Sequence, residues 1–139
     1  MKYTWENKIV LFAEDDDASF VYLSELLKRN NVKVIRCSSG LSAFFYCMNN
    51  PNIDLVLMDM KLHELNGFEA TRLIKKYQHS IPVIAVTACA MLEDRRRCKI
   101  AGCDEYLPKP IMPNDFLQLV HKYLSLSRIK LNYKEQLHF

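Results

Sequence analysis

Asp54-Leu55-Val56-Leu57-Met58-Asp59, continuing as Met60-Lys61-Leu62-His63-Glu64-Leu65-Asn66-Gly67, is the stretch that sets the architecture. A short apolar run bounded by polar residues reads as a buried strand of a parallel sheet, with Asp59 marking its carboxyl end. Ligands of open α/β sheets bind at that edge. A lone aspartate there is more often an ordinary turn former. The interest of Asp59 therefore depends on what the rest of the chain brings beside it.

Working outward, Lys8 to Ala13 is an apolar, β-branched and aromatic strand that ends in Glu14-Asp15-Asp16-Asp17. Asp16 or Asp17 is placed to cap the next helix, in which Phe20, Leu23, Leu26 and Leu27 recur at helical spacing and Ser24, Lys28 and Arg29 form the polar face. Val32 to Cys37 alternates in the manner of a strand exposed on one side, which suits an edge. Ser38-Ser39-Gly40 opens a helix that Asn49-Asn50-Pro51-Asn52 closes.

After the central strand, Asn66 with Glu69 makes a capping-box pattern for a helix to about Tyr77, with Phe68, Leu73 and Ile74 turned inward. Pro82 to Thr87 is a fourth buried strand, with a hydroxyl where the first and third carry acids. A helix from about Met91 to Ala101 stops at Gly102. Asp104 to Leu107 is a short fifth strand leading into Pro108-Lys109-Pro110. Pro113 then starts a last helix with Phe116, Leu117, Val120, Tyr123 and Leu124.

Five strand–helix alternations predict an α/β doubly wound parallel sheet of five strands, with right-handed crossovers placing helices on both faces. Residues 7–125 are expected to form one domain. Residues 126–139 are expected to extend the last helix or trail as a basic tail, with no output domain among them.

The chain has 139 residues, half of them hydrophobic, and a formal charge of only +3. That is enough for one core and far from the basic excess of a dedicated nucleic-acid binder. Arg95-Arg96-Arg97 reads as a solvated run, without a helix-turn-helix to read bases. No apolar stretch approaches a membrane span. Cys37, Cys47, Cys89, Cys98 and Cys103 are odd in number and show no C-x-x-C spacing, which argues for reduced thiols in a cytosolic protein. Cys98 and Cys103 straddle a helix end, where a redox role competes with simple burial.

Parallel strands bring Glu14, Asp15, Asp59, Thr87 and Lys109 to one edge. Close carboxylates repel by on the order of 4 kcal/mol per pair at an effective dielectric of 20 and raise one another's pKa. A hard divalent cation relieves this, Mg²⁺ foremost and Mn²⁺ as the alternative, and leaves coordination positions for a phosphoryl oxygen. Three acids, one lysine and such a cation balance to zero charge. Asp59 is then placed as a nucleophile, with Lys109 and Thr87 as donors to the transferred group.

These residues, in this order and spacing, resemble a response-regulator receiver domain of two-component signalling. The match rests on Glu14-Asp15, Asp59 in Leu-Met-Asp-Met, Gly67, Thr87-Ala88 and Lys109-Pro110, and covers roughly residues 7–125. The resemblance implies a CheY-like, flavodoxin-like strand order 2-1-3-4-5 and a cis Lys109-Pro110 bond. It implies that Asp59 accepts phosphate from a histidine kinase or histidine phosphotransfer protein, with Mg²⁺ held by Glu14, Asp15, Asp59 and the Lys61 carbonyl. Lys109 would bond the phosphate, while Thr87 and Tyr106 act as the switch.

The switch would re-shape the face of the fourth helix, fifth strand and fifth helix, a candidate homodimer or output surface. Such a module is cytoplasmic, makes no direct contact with nucleic acid or membrane, and is no enzyme beyond its own aspartyl phosphorylation and dephosphorylation. Gly-Phe-Glu-Ala-Thr-Arg and Ala-Gly-Cys-Asp-Glu-Tyr look most like receivers of hybrid histidine kinases.

The sequence departs from the family at His63, where proline is usual, so the loop is expected to be more mobile and the imidazole mostly solvated. Lys61 and Cys89 stand at positions that influence phosphate lifetime. Three other readings fit less well. A haloacid-dehalogenase-type phosphohydrolase needs a second Asp where Lys61 stands. A flavodoxin-like cofactor binder needs a phosphate-cradling loop where the acidic run lies. A receiver that no longer phosphorylates would not be expected to keep all five key side chains.

Overall fold

The computed structural model describes residues 3–88 and 91–137, without the side chains of 126–137. Its elements alternate as β1 (Ile9–Ala13), α1 (Asp17–Lys28), β2 (Lys33–Cys37), α2 (Gly40–Asn49), β3 (Leu55–Met58), α3 (Gly67–Tyr77), β4 (Val83–Thr87), α4 (Leu92–Ala101), β5 (Glu105–Pro108) and α5 (Pro113–Leu137). The five strands form one parallel sheet in the order β2-β1-β3-β4-β5. β2 takes an edge, as its alternation predicts.

The side-chain period of two divides the core into two layers. Leu11, Ala13, Val56, Met58, Val83 and Ala85 face Ala43 and Cys47 of α2, Ala70 and Ile74 of α3, and Cys98 of α4. Val10, Phe12, Leu55, Leu57, Ile84 and Val86 face Leu23 and Leu27 of α1 and Phe116, Val120 and Leu124 of α5. With both faces covered, β1, β3 and β4 can be apolar throughout. Each fully buried Leu or Phe contributes about 2 kcal/mol.

Helix starts follow their capping residues. The Asp16 carboxylate accepts the Ser19 N–H at 2.8 Å, and Ser39 and Ser42 form a reciprocal box at α2. Asn66 caps α3 by accepting the Glu69 N–H at 3.0 Å. The expected box at α3 is only half realised, because Glu69 meets the Asn66 side-chain amide instead of its backbone. Ser24 is buried and donates to the Val21 carbonyl, which corrects its placement on the polar face of α1. Phe68 and Leu73 are half-buried, while Thr71 shares the fully buried side of α3 with Ile74.

Ahead of β1, the chain docks on α5. Trp5 is 3% exposed, donates its indole N–H to His121 Nδ1 at 3.1 Å, and donates its backbone N–H to the Asn30 carbonyl at 2.9 Å. Tyr3 stacks on the His121 ring with centroids 4.2 Å apart.

Candidate functional site

Each site residue lies just past or at the end of a strand, so the sheet order fixes the constellation. Glu14 and Asp15 leave β1, Asp59 leaves β3, Thr87 ends β4, and Lys109 follows β5. Backbone bonds tie these exits together. The Asp59 N–H donates to the Ala13 carbonyl at 3.0 Å, and the Lys109 N–H to the Thr87 carbonyl at 2.9 Å. The Lys109-Pro110 peptide is cis.

The side chains converge accordingly. Carboxylate oxygens of Glu14, Asp15 and Asp59 lie within 4.8 Å of one another. Lys109 Nζ reaches Glu14 Oε1 at 2.9 Å and Ser19 Oγ at 3.4 Å. The Lys61 N–H donates to Asp59 Oδ1 at 3.0 Å. Glu14 is fully buried, Asp59 is 7% exposed and Asp15 faces solvent. Burial, then a hydrogen bond to Asp59, pushes the Glu14 carboxyl up to about 7, against the pull of Lys109. Glu14 is thus buried and crowded enough to retain a proton near neutrality. That donor set fits a hard divalent cation, which replaces the proton and satisfies all three oxygens.

Thr87 is fully buried, and Tyr106 is half-buried against the α2–α3–α4 layer with the Arg95 guanidinium 5.0 Å from its ring centroid. Arg97 lies 3.9 Å over the Phe68 ring. The arginine run is exposed, yet two of its three members rest on aromatic faces. Cys89 lies outside the described residues.

The loop after Asp59 is held closely. Gly40 and Leu41 donate their N–H groups to the carbonyls of His63 and Glu64, at 3.3 and 2.7 Å. Glu64 and Leu65 adopt left-handed backbone conformations. A Cβ on Gly67 would strike the Asp59 carbonyl oxygen and the Met60 Cα, so glycine lets α3 start directly behind the acid. His63 is exposed, as its loop position predicts, but its Nδ1 also lies 3.7 Å from Asp15 Oδ2 on the rim of the acidic cluster. Ser19 and Arg36, which donates Nε–H to the Glu14 carbonyl at 3.1 Å, were not legible as site residues. Their contacts arise only when α1 and β2 pack beside the edge.

A family model described as "Response regulator receiver domain" matches residues 10–121. The chain belongs to that family. It is 36% identical over 119 residues to the polar-differentiation response regulator DivK of Brucella ovis, covering 84% of this chain and 96% of the relative. The receiver domain of the sensor histidine kinase PA1611 from Pseudomonas aeruginosa PAO1, with magnesium coordinated in its active site cleft, matches with a TM-score of 0.79. That structure is 28% identical and covers 85% of this chain and 98% of its own. A CheY-like receiver domain protein from Methanospirillum hungatei JF-1 gives a TM-score of 0.80 at 26% identity, covering 88% of this chain and 98% of its own. As a receiver domain, the chain is a phosphoacceptor module of two-component signalling, whose partners are histidine kinases. No described helix is long and apolar enough to cross a membrane.

Proposed function

We propose that this receiver takes a phosphoryl group onto Asp59 from a histidine kinase or a histidine phosphotransfer protein. The observation carrying this is the meeting of the Glu14, Asp15 and Asp59 oxygens within 4.8 Å, beside the Lys109 ammonium. An Asp59 oxygen attacks phosphorus, the bond from phosphorus to the donor imidazole nitrogen breaks, and the imidazole, protonated on its other ring nitrogen, leaves neutral with the bonding pair. The Lys61 N–H orients the Asp59 carboxylate. Lys109 exchanges its bond to Glu14 for one to the phosphoryl oxygens, a charge-assisted contact. Held by Glu14, Asp15, Asp59 and the Lys61 carbonyl, Mg²⁺ or Mn²⁺ supplies neutralisation of the transferring oxygens.

Thr87 and Tyr106 form the switch in this reading. The hydroxyl at the end of β4 turns towards the phosphoryl group, and Tyr106 re-packs beneath Arg95. That movement re-shapes α4, β5 and α5, the proposed surface for an output partner or a second copy. Residues 7–125 act as the signalling domain in the cytoplasm, and residues 126–137 continue α5 beyond it.

The test is intact mass after incubation with Mg²⁺ and acetyl phosphate. The expected result is a gain of one phosphoryl group, lost without Mg²⁺ and in Asp59→Asn. Failure of both acetyl phosphate and a panel of phosphorylated histidine phosphotransfer proteins to modify folded chain would overturn the proposal.

A further inference from the structure

The thiols of Cys98 and Cys103 lie at the far end of α4 and have no part in phosphoryl chemistry. The backbone brings them together. Gly102, at φ 105°, donates to the carbonyls of Cys98 and Lys99 at 3.2 and 3.1 Å, and the Cys103 N–H reaches back to the Cys98 carbonyl at 3.0 Å. This is a Schellman closure, in which Cys98 and Cys103 occupy the two positions whose side chains meet across the turn. A direct N–H to carbonyl bond between two residues also holds their Cα atoms within the span that a disulfide accepts.

The two thiols differ in a useful way. Cys98 is 1% exposed, whereas Cys103 is half-buried, with its Sγ 4.0 Å from Thr71 Oγ1. The neighbouring Cys98 thiol pulls the Cys103 thiol below its ordinary value, helped by the Thr71 hydroxyl and Lys75 against burial and Asp104. The proximity of Cys103, with burial, pushes Cys98 up. A partly exposed sulfur beside a buried one is the arrangement of an attacking and a resolving cysteine.

We propose that Cys98 and Cys103 are a redox couple, which a hydroperoxide converts to an intramolecular disulfide tying the last turn of α4 to the start of β5. The Cys103 thiolate attacks the peroxide, the O–O bond breaks, and one oxygen leaves as water or alcohol after taking up the thiol proton. The resulting sulfenic acid is attacked by the Cys98 sulfur. An S–S bond forms as the S–O bond breaks, and water departs with the Cys98 proton. The two thiols lose two electrons in total, and the peroxide gains them.

The experiment treats the full chain with hydrogen peroxide, then alkylates and digests it without reductant. Trypsin cuts after Arg97 and Lys99, so Cys98-Lys99 and the peptide beginning at Ile100 separate unless a disulfide joins them. The expected result is the joined pair, two hydrogens lighter than the separate thiols, restored by dithiothreitol. Cys98→Ser should leave Cys103 carrying oxygen instead, as sulfenic or sulfinic acid. The inference is overturned if the folded wild type keeps Cys98 alkylatable while Cys103 oxidises, if both thiols survive peroxide, or if either joins another cysteine. The wild-type map answers the question even if a variant fails to fold.

Discussion

The two ends of β3 carry the same residue type at the same exposure and do opposite things. Asp54 and Asp59 are each 7% exposed. Asp54, at the entrance, accepts the Ile9 N–H at 2.8 Å and lies 3.8 Å from Lys8 Nζ, so it clamps β1 to β3. Asp104 repeats the pattern before β5, accepting the Val83 N–H at 2.8 Å and Lys75 Nζ at 2.6 Å. At the exit, Asp59 shares its space with Glu14 and Asp15 opposite Lys109. An acid with its own lysine and a strand N–H is mortar. A buried acid among other acids, opposite a lysine, is a donor set that fits a hard cation.

The sharpest break of that symmetry is a pair of substitutions. Asp59→Asn should abolish phosphoryl uptake in the mass assay while leaving the urea midpoint unchanged or raised, because a repulsion is removed. Asp54→Ala should leave uptake per folded molecule intact and cost about 3 kcal/mol in urea unfolding, because Lys8 loses its buried partner. The contrast fails if both substitutions act on the same observable.

Acidity separates the ends next. Glu14 is raised from 4.5 to about 7, so between those values the fold holds a proton that the unfolded chain has released. Its contribution to stability is full below the lower value and lost as pH rises through the upper one, about 3 kcal/mol in all. Urea midpoints in metal-free buffer should therefore fall across this window, Glu14→Gln should flatten the fall, and Mg²⁺ should restore stability on the alkaline side.

Gly67→Ala comes third, at about 1–3 kcal/mol, because its Cβ has only backbone to displace. It should also slow phosphoryl uptake by shifting Asp59. Arg97→Ala, which removes a guanidinium from the Phe68 face, should cost only about 0.5 kcal/mol and leave the chemistry untouched.

The strand order β2-β1-β3-β4-β5 followed only from the family resemblance, whereas the alternation of strands and helices and the acidic cluster were legible because each depends on local signals, an apolar run and the residue at its end. Asp54 and Asp104 were not, since their partners lie 45 and 21 or more residues away and either acid reads as a turn former until β1 or β4 is beside it. Ser24 and Thr71 misled or escaped for a related reason. A hydroxyl that bonds within its own helix can be buried cheaply, as Ser24 does with Val21, and nothing in its spacing announces this. The loop after Asp59 was expected to be loosened by His63 in place of proline, but α2 supplies the bonds that hold its backbone.

The docking of the N-terminal segment gives the molecule a built-in optical probe. Trp5 is the chain's single tryptophan, buried against α5 and bonded to His121, on the layer opposite α4. Its emission therefore reports whether α5 is seated, through a chromophore that belongs to neither the acidic edge nor the cysteine turn. The proposed phosphoryl transfer at one end of the sheet and the proposed thiol oxidation on the other layer can each be asked, in the same cuvette, whether they reach α5.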